Sequence, residues 1–209
     1  MILHGYFRST ASWRVRIALG LKGIAVEQRF HHLRKGDQRS PDYLAVNPQG
    51  LLPALVLDDG RVLTQSLAII EYLDELVPSP ALLPKEPVDR ATVRGLAQII
   101  ACDVHPVQNL KILDRVRALG GADAAAQWAR TTIVEGLDAF EAIIAKLPGP
   151  FCFGEQPSLA DIALVPQLGN ARRFGVDVQW QRIMEAEQSC LQIEAFRSAA
   201  PEQQPDSDI

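Results

Sequence analysis

Cysteine is scarce in this chain. Cys102, Cys152 and Cys190 are the only three in 209 residues. They are scattered and odd in number, with no CxxC pair and no metal-ligand spacing, which excludes a disulfide scaffold and a cysteine-built metal centre. Isolated thiols of this kind fit a reducing compartment, where they merely pack, so the cytoplasm is the expected location and no metal is expected. Long apolar runs are missing too: no window approaches the roughly 20 apolar residues of a membrane span. Met1 to Phe7 is a short, mostly apolar run followed by Arg8, Arg14 and Arg16, without the apolar core and cleavage site of a secretory signal. Nor is positive charge in excess. There are 21 Lys and Arg against 25 Asp and Glu, a formal net charge of -4, so neither a nucleic acid nor an anionic membrane is expected as partner. What is present is 47% apolar and 22% charged, the balance of a globular protein able to bury a core. The length suits one large domain or two small ones.

Two patterns divide the chain. In the first third, Met1-Ile2-Leu3 and Ala25-Val26 read as strands. Between them Val15, Ile17, Ala18, Leu19 and Leu21 form an apolar stretch of helical length that ends at Gly23. Strand, helix, strand implies a parallel pair with a crossover helix. A helix around Tyr43 follows, then the turn residues Asn47-Pro48-Gln49-Gly50. Beyond Pro53, the strands Ala54–Leu57 and Arg61–Leu63 flank the hairpin signal Asp58-Asp59-Gly60. A helix from about Ser66 turns Ile69, Ile70, Leu73 and Leu76 inward. Prolines at 78, 80, 84 and 87 then break the pattern and the strand signals stop. Ile133, Leu137, Phe140, Ile144 and Leu147 form one helical stripe, and Ser158-Leu159-Ala160-Asp161 opens a helix with a reciprocal cap. The tail from Pro201 onward is polar, contains proline and reads as loose. The expected fold is α/β followed by all-α: one domain over residues 1–80, a linker about 78–88, and a helical domain over 88–209.

Three features of the first domain carry chemistry. Arg8-Ser9-Thr10-Ala11-Ser12-Trp13-Arg14 lies where the first strand hands over to the first helix. Backbone N–H groups there attract an anion, and hydroxyls can donate to a thiolate. The same hydroxyls also suit plain helix caps. Leu52-Pro53 stands at a strand entry, where proline removes a ladder donor. It is either an ordinary trans proline or a cis bond that turns the Leu52 backbone outward toward an extended ligand. Gln65-Ser66 opens the next helix and either caps it or, with the free N–H groups, holds a carboxylate. Two helix N-termini and one strand edge together describe a pocket for an anionic peptide.

The residues Arg8-Ser9-Thr10-Ala11-Ser12-Trp13-Arg14-Val15-Arg16-Ile17-Ala18-Leu19, Asn47-Pro48, Gln65 to Leu73 and Asn170-Ala171-Arg172-Arg173-Phe174 resemble the zeta class of glutathione S-transferases. The likeness extends from residue 5 to the Gln204-Pro205-Asp206 tail. It implies a thioredoxin-like domain followed by an all-helical one, a homodimer, and glutathione as cofactor. In one respect the chain departs: Ala11 stands where many zeta members carry cysteine, which argues against chemistry through a protein–glutathione disulfide. The family's activating serine matches Ser9, with Thr10 beside it. In the run Cys102 to Asn109, the resemblance places Asp103 and His105 against glutathione, His105 at the glycyl end, although a lone histidine is often structural. Gln38, in the loop before the second helix, is a further candidate for that end. Arg172-Arg173 suits a solvated helix end. The family reading makes Arg173 a clamp on a substrate carboxylate and Arg8 a second one.

The activity implied is glutathione-dependent cis–trans isomerisation of a small diacid, 4-maleylacetoacetate to 4-fumarylacetoacetate in tyrosine and phenylalanine breakdown. Maleylpyruvate presents the same enone and carboxylates. A general conjugating transferase would want an apolar second pocket, and a non-enzymatic assembly module would need none of these residues.

Overall fold

A computed structural model describes residues 1–208, which fall into two units. The first comprises residues 1–81 together with 192–208, the second residues 82–191.

In the first unit β1 (Ile2–Gly5) is followed by α1 (Thr10–Lys22) and β2 (Glu27–Phe30). Two short 3-10 turns, Leu33–Lys35 and Asp37–Arg39, lead into α2 (Pro41–Val46). The hairpin of β3 (Ala54–Val56) and β4 (Val62–Thr64) precedes α3 (Ser66–Leu76). The sheet order is β2-β1-β3-β4. β1 pairs parallel with β2, Leu3 opposite Gln28, and antiparallel with β3, Leu3 opposite Leu55. This is a thioredoxin-like arrangement, with the expected parallel pair and crossover helix. Gly23 ends α1 in the left-handed conformation at φ 64°, where a residue without Cβ is unstrained. Gly60 turns the β3–β4 hairpin at φ 85°. The second strand begins at Glu27, directly after the Ala25-Val26 run. α1 is buried almost all round, so Arg14 and Arg16 lie inside the unit with Val15 and Ile17. On α3, Ile69, Ile70 and Leu73 are buried as expected, whereas Leu76, in the last turn, is exposed.

The second unit is helical. α4 (Pro87–Gln98) runs on into a π-helical turn, Ile99–Val104, and then come α5 (Leu110–Ile144), α6 (Leu159–Arg173) and α7 (Gln181–Leu191). Ile133, Leu137, Phe140 and Ile144 form the buried stripe of α5; Leu147 lies past its end and is half-buried. α5 kinks at Gly121, whose φ of 85° and ψ of -178° are non-helical, a conformation that glycine adopts at little cost. At α6 the reciprocal cap is complete. Asp161 Oδ2 accepts from the Ser158 N–H at 2.9 Å, Asp161 Oδ1 accepts from the Cys152 N–H at 2.8 Å, and Ser158 Oγ accepts from the Ala160 N–H. Among the described residues no helix is long and apolar enough to cross a membrane.

The chain then leaves the helical unit. α8 (Glu194–Ser198) packs on α1, with Gly20 so close to Ala195 that a Cβ on residue 20 would lie 3.0 Å from the Ala195 Cβ. The segment after Pro201 is therefore not loose: Pro201–Gln203 is a 3-10 turn, and Gln204 is buried, its Nε2 donating to the carbonyls of Ser198 and Ala200. A polar composition suggests solvent, but here Gln204 bonds to the segment's own backbone and Asp206 to the Phe7 N–H.

Candidate active site

Ser9 caps α1. Its Oγ accepts from the Ser12 N–H at 3.2 Å, and its own N–H donates to the Tyr6 carbonyl at 3.0 Å. A hydroxyl has one hydrogen to donate and two lone pairs, so capping leaves the Ser9 hydrogen for another acceptor. Thr10 and Ser12 differ. Both are buried, 3% and 0% exposed, and their hydroxyl oxygens have no protein partner among the described residues. Half-buried Ser9 is thus the hydroxyl of this run with access to a ligand. No acidic residue lies in the first turn of α1, so the positive end of its dipole is not answered locally. Arg8, half-buried, holds its guanidinium 6.0 Å from the Phe7 ring centre.

The Leu52–Pro53 peptide bond is cis, deciding between the two alternatives the sequence left open. The residue before it is fixed in place. The Leu51 carbonyl accepts from Tyr43 Oη at 2.6 Å and from Asn47 Nδ2 at 2.7 Å. Among the described residues no hydrogen bond reaches the backbone N–H or C=O of Leu52 itself, and both remain available to an extended chain. Gly50, at φ 61°, brings the same segment against Gln38, whose carbonyl would lie 3.1 Å from a Cβ there. The Gln38 Oε1 is buried without a protein partner among the described residues.

Gln65 sits at φ 69° and ψ 116°, the sole non-glycine residue with positive φ among the described residues. Such a backbone costs about 1–3 kcal/mol and gathers where a site needs it. Its Nε2 donates to Gln49 Oε1 at 3.1 Å. Ser66 opens α3 and is 7% exposed, while α3 has neither a side-chain cap nor an acid in its first turn. From α1, the buried Arg14 donates through Nη1 to Ser66 Oγ at 3.4 Å. Uncapped N–H groups, a hydroxyl and a buried guanidinium make this end of α3 suited to a carboxylate.

The remaining expected site residues lie in the helical unit. Asp103 is exposed within the π-helical turn and His105 follows it, its N–H donating to the Ile100 carbonyl at 2.9 Å. Arg172 and Arg173 end α6 with different partners. Arg172 makes a two-bond pair with Glu187, both at 2.6 Å, whereas Arg173 donates to Asn170 Oδ1 at 2.5 Å. The chain's own thiols divide likewise: burial pushes Cys152 and Cys190 well up from the usual thiol range, which makes them poor nucleophiles. Cys102 is exposed and does not pack as expected.

Arg14 and Gln49 were missed as site residues by reading the sequence alone. Arg14 falls inside a helix that periodicity reads as uniformly core, and Gln49 inside a turn whose proline and glycine dominate the signal.

Residues 8–76 match the model of the glutathione S-transferase N-terminal domain, and residues 110–201 that of the C-terminal domain. A maleylacetoacetate isomerase of Pseudomonas aeruginosa is 46% identical, over 99% of this chain and 99% of the relative. A holo maleylpyruvate isomerase, described as a bacterial zeta-class glutathione S-transferase, superposes with a TM-score of 0.95 at 45% identity, covering 99% and 100% of the two chains. A maleylacetoacetate isomerase of Methylobacterium extorquens, solved with malonate and glutathione, gives a TM-score of 0.96 at 38% identity, with 100% of both chains covered.

Proposed function

Because the chain belongs to the glutathione S-transferases, and among them to the zeta class, we propose that it is a glutathione-dependent cis–trans isomerase of a maleyl diacid. The reaction is conversion of 4-maleylacetoacetate to 4-fumarylacetoacetate, in tyrosine and phenylalanine breakdown. The observation that carries this reading is the end-to-end likeness, at 46% identity, to an isomerase of that name. Maleylpyruvate is the second reading, favoured by 45% identity to its isomerase over nearly the whole of both chains. Both substrates pose the same recognition problem, a cis enone flanked by carboxylates. The family supports a homodimer working in the cytoplasm.

The residues of the first unit fit the tripeptide. Leu52 pairs with its backbone, Ser66 and the N–H groups of α3 take a carboxylate, with Gln65 beside them, and Pro53 sets the edge on which it lies. Gln38 and His105 hold the glycyl end, and Asp103 adds a polar contact. When bound, glutathione supplies the thiolate that adds to the cis double bond and leaves once that bond has turned. Ser9 donates its remaining hydroxyl hydrogen toward the sulfur. Thr10 contributes its backbone N–H in the first turn of α1, where the helix dipole favours negative charge. Both act on the ionised sulfur and so lower the thiol's pKa. Arg8 and Arg173 pair with the substrate carboxylates and stabilise the charge that develops on its oxygen.

The test is the purified protein with each maleyl substrate, with and without glutathione. Conversion to the fumaryl isomer is expected only when glutathione is present. No conversion of either substrate in its presence would remove the assignment.

A further inference from the structure

The loop from Tyr6 to Ser9 joins β1 to α1 and is tied down by residues far away in the chain. Arg16, on α1 and 8% exposed, spends three nitrogens on backbone carbonyls: Nη1 on Tyr6 at 3.4 Å, Nη2 on Phe7 at 3.0 Å, and Nε on Ala199 at 3.0 Å. One guanidinium therefore joins the loop to the returning C-terminal segment. That segment supplies the complementary contact. Asp206 Oδ2 accepts from the Phe7 N–H at 2.9 Å, across 199 residues of sequence. Phe7 is thus held by both its N–H and its C=O. The Tyr6 carbonyl takes two donors, Arg16 Nη1 and the Ser9 N–H. Arg8 and Ser9 come directly after this fixed residue.

Asp206 is itself well placed. Gln204 is anchored to two carbonyls, Ser198 and Ala200, and the Ser207 N–H donates to the Gln204 carbonyl at 3.0 Å. The second carboxylate oxygen, Oδ1, is buried and has no protein partner among the described residues. Such placement costs solvation that a surface aspartate keeps, offset by the bond at Oδ2 and by the charge of the nearby Arg16 guanidinium.

We propose that Asp206 is a positioning residue for thiol activation: by accepting the Phe7 N–H it fixes the loop from which Ser9 presents its hydroxyl. This rests on the role of Ser9 given above. The physical argument is one of distance. A hydrogen bond to a thiolate stabilises it only at the right separation and angle, and displacement of a reacting group by about 1 Å can cost about a hundredfold in rate. Without the acceptor, the Phe7 N–H has no bond on that side and the loop loses one of its ties. The C-terminal segment then belongs to the active site by function as well as by packing.

The variants are Asp206→Ala, which removes the acceptor; Asp206→Asn, whose amide oxygen keeps it; Asp206→Glu, which displaces it by one methylene; and Ser9→Ala. Four quantities are read: the pKa of the bound glutathione thiol from thiolate absorbance, kcat with a maleyl diacid, Kd for glutathione, and amide exchange at Phe7 in the glutathione-free protein. Asp206→Ala should raise the bound thiol's pKa by about one unit, leaving about a tenth of the thiolate at a pH below it. kcat should fall about tenfold in step, with Kd for glutathione changing less than about threefold, and Phe7 exchange should speed up. Asp206→Asn should recover most of each effect and Asp206→Glu little of it, which keeps the test open should the alanine variant not fold. A bound-thiol pKa that stays at the wild-type value in both Asp206→Ala and Asp206→Glu, while melting temperature falls, would make Asp206 a structural latch and overturn the proposal. Ser9→Ala separates the two layers. If it leaves the thiol pKa unchanged, the role of Ser9 fails and this proposal with it; if it raises the pKa while the Asp206 variants do not, this proposal fails alone.

Discussion

Arg172 and Arg173 are neighbours in sequence and both end α6, yet their side chains are committed differently. The Arg172 fork is closed on Glu187 by two 2.6 Å bonds, and that bond to Glu187 raises the guanidinium's pKa. Arg173 meets the neutral Asn170 oxygen in its own helix turn. If Arg173 pairs with a substrate carboxylate, a charged two-bond contact is worth roughly 1.5–3 kcal/mol. Arg173→Ala should then cost about tenfold to a hundredfold in kcat/KM for a maleyl diacid, at about 1.36 kcal/mol per factor of ten. Arg173→Lys should recover only part, since it keeps the charge without the fork. Activity on an uncharged electrophile and affinity for glutathione should hardly move. Arg172→Ala should instead lower melting temperature and leave the diacid's kcat/KM near the wild-type value. Equal losses on charged and neutral substrates in Arg173→Ala would show that residue to be structural. The sequence presents the two arginines as equals, because nothing local distinguishes a side chain that finds Glu187 fifteen residues later.

Among the elements, the β1–β2 pair carries a histidine couple with a pH signature. His4 Nδ1 and His31 Nε2 share a hydrogen bond at 2.8 Å, and both rings stack near Tyr43. Burial, then the neighbouring His31 and Arg29, push His4 down to about 4, and burial also lowers His31. Both are held neutral in the folded state, while in the unfolded chain a histidine takes up its proton near pH 6.5. As pH falls through 6.5 the unfolded state binds more protons, so stability is lost from there down to about pH 4. Melting temperature measured across that window should fall, and fall less steeply in His4→Phe; parallel slopes would remove the histidines as the cause. In the helical unit the π-helical turn depends on a glycine. A Cβ on Gly136 would lie 2.1 Å from Val104 Cγ2, so Gly136→Ala must displace the turn that carries Asp103 and leads into His105. An overpacked contact of this kind costs about 1–3 kcal/mol. The loss should show in melting temperature and be relieved by a second change, Val104→Ala; additive losses in the double variant would place the strain elsewhere. The elements themselves were largely legible, because short apolar runs, Gly23, the Asp58-Asp59-Gly60 turn and the Ser158–Asp161 cap are local signals. The π-helical turn was not, since it depends on packing between Val104 and Gly136, distant in sequence; the kink at Gly121 falls on an exposed pair of glycines within an otherwise continuous helix.

For the molecule as a whole, the sequence places the division where proline interrupts the pattern, near residues 78–88, and contacts divide the chain at Ala81. The return of residues 192–208 to the first unit left no trace in composition: a stretch such as Gln203-Gln204-Pro205-Asp206 looks solvated until Gln204 and Asp206 are seen to bond backbone groups. The candidate site was legible to the extent that it is built from loop ends with characteristic residues, Ser9, Leu52-Pro53 and Gln65-Ser66. Its supports, Arg14 beneath Ser66 and Asp206 behind Phe7, depend on tertiary contacts and were not. Isomerisation returns glutathione unchanged, whereas conjugation consumes it and an assembly module neither uses nor alters it. The deciding measurement is therefore the glutathione balance during turnover of a maleyl diacid by the wild-type protein. Fumaryl product should accumulate over many turnovers with free glutathione undiminished, and no product should form when glutathione is withheld. Loss of glutathione in step with substrate, or isomerisation that proceeds without it, would contradict the assignment.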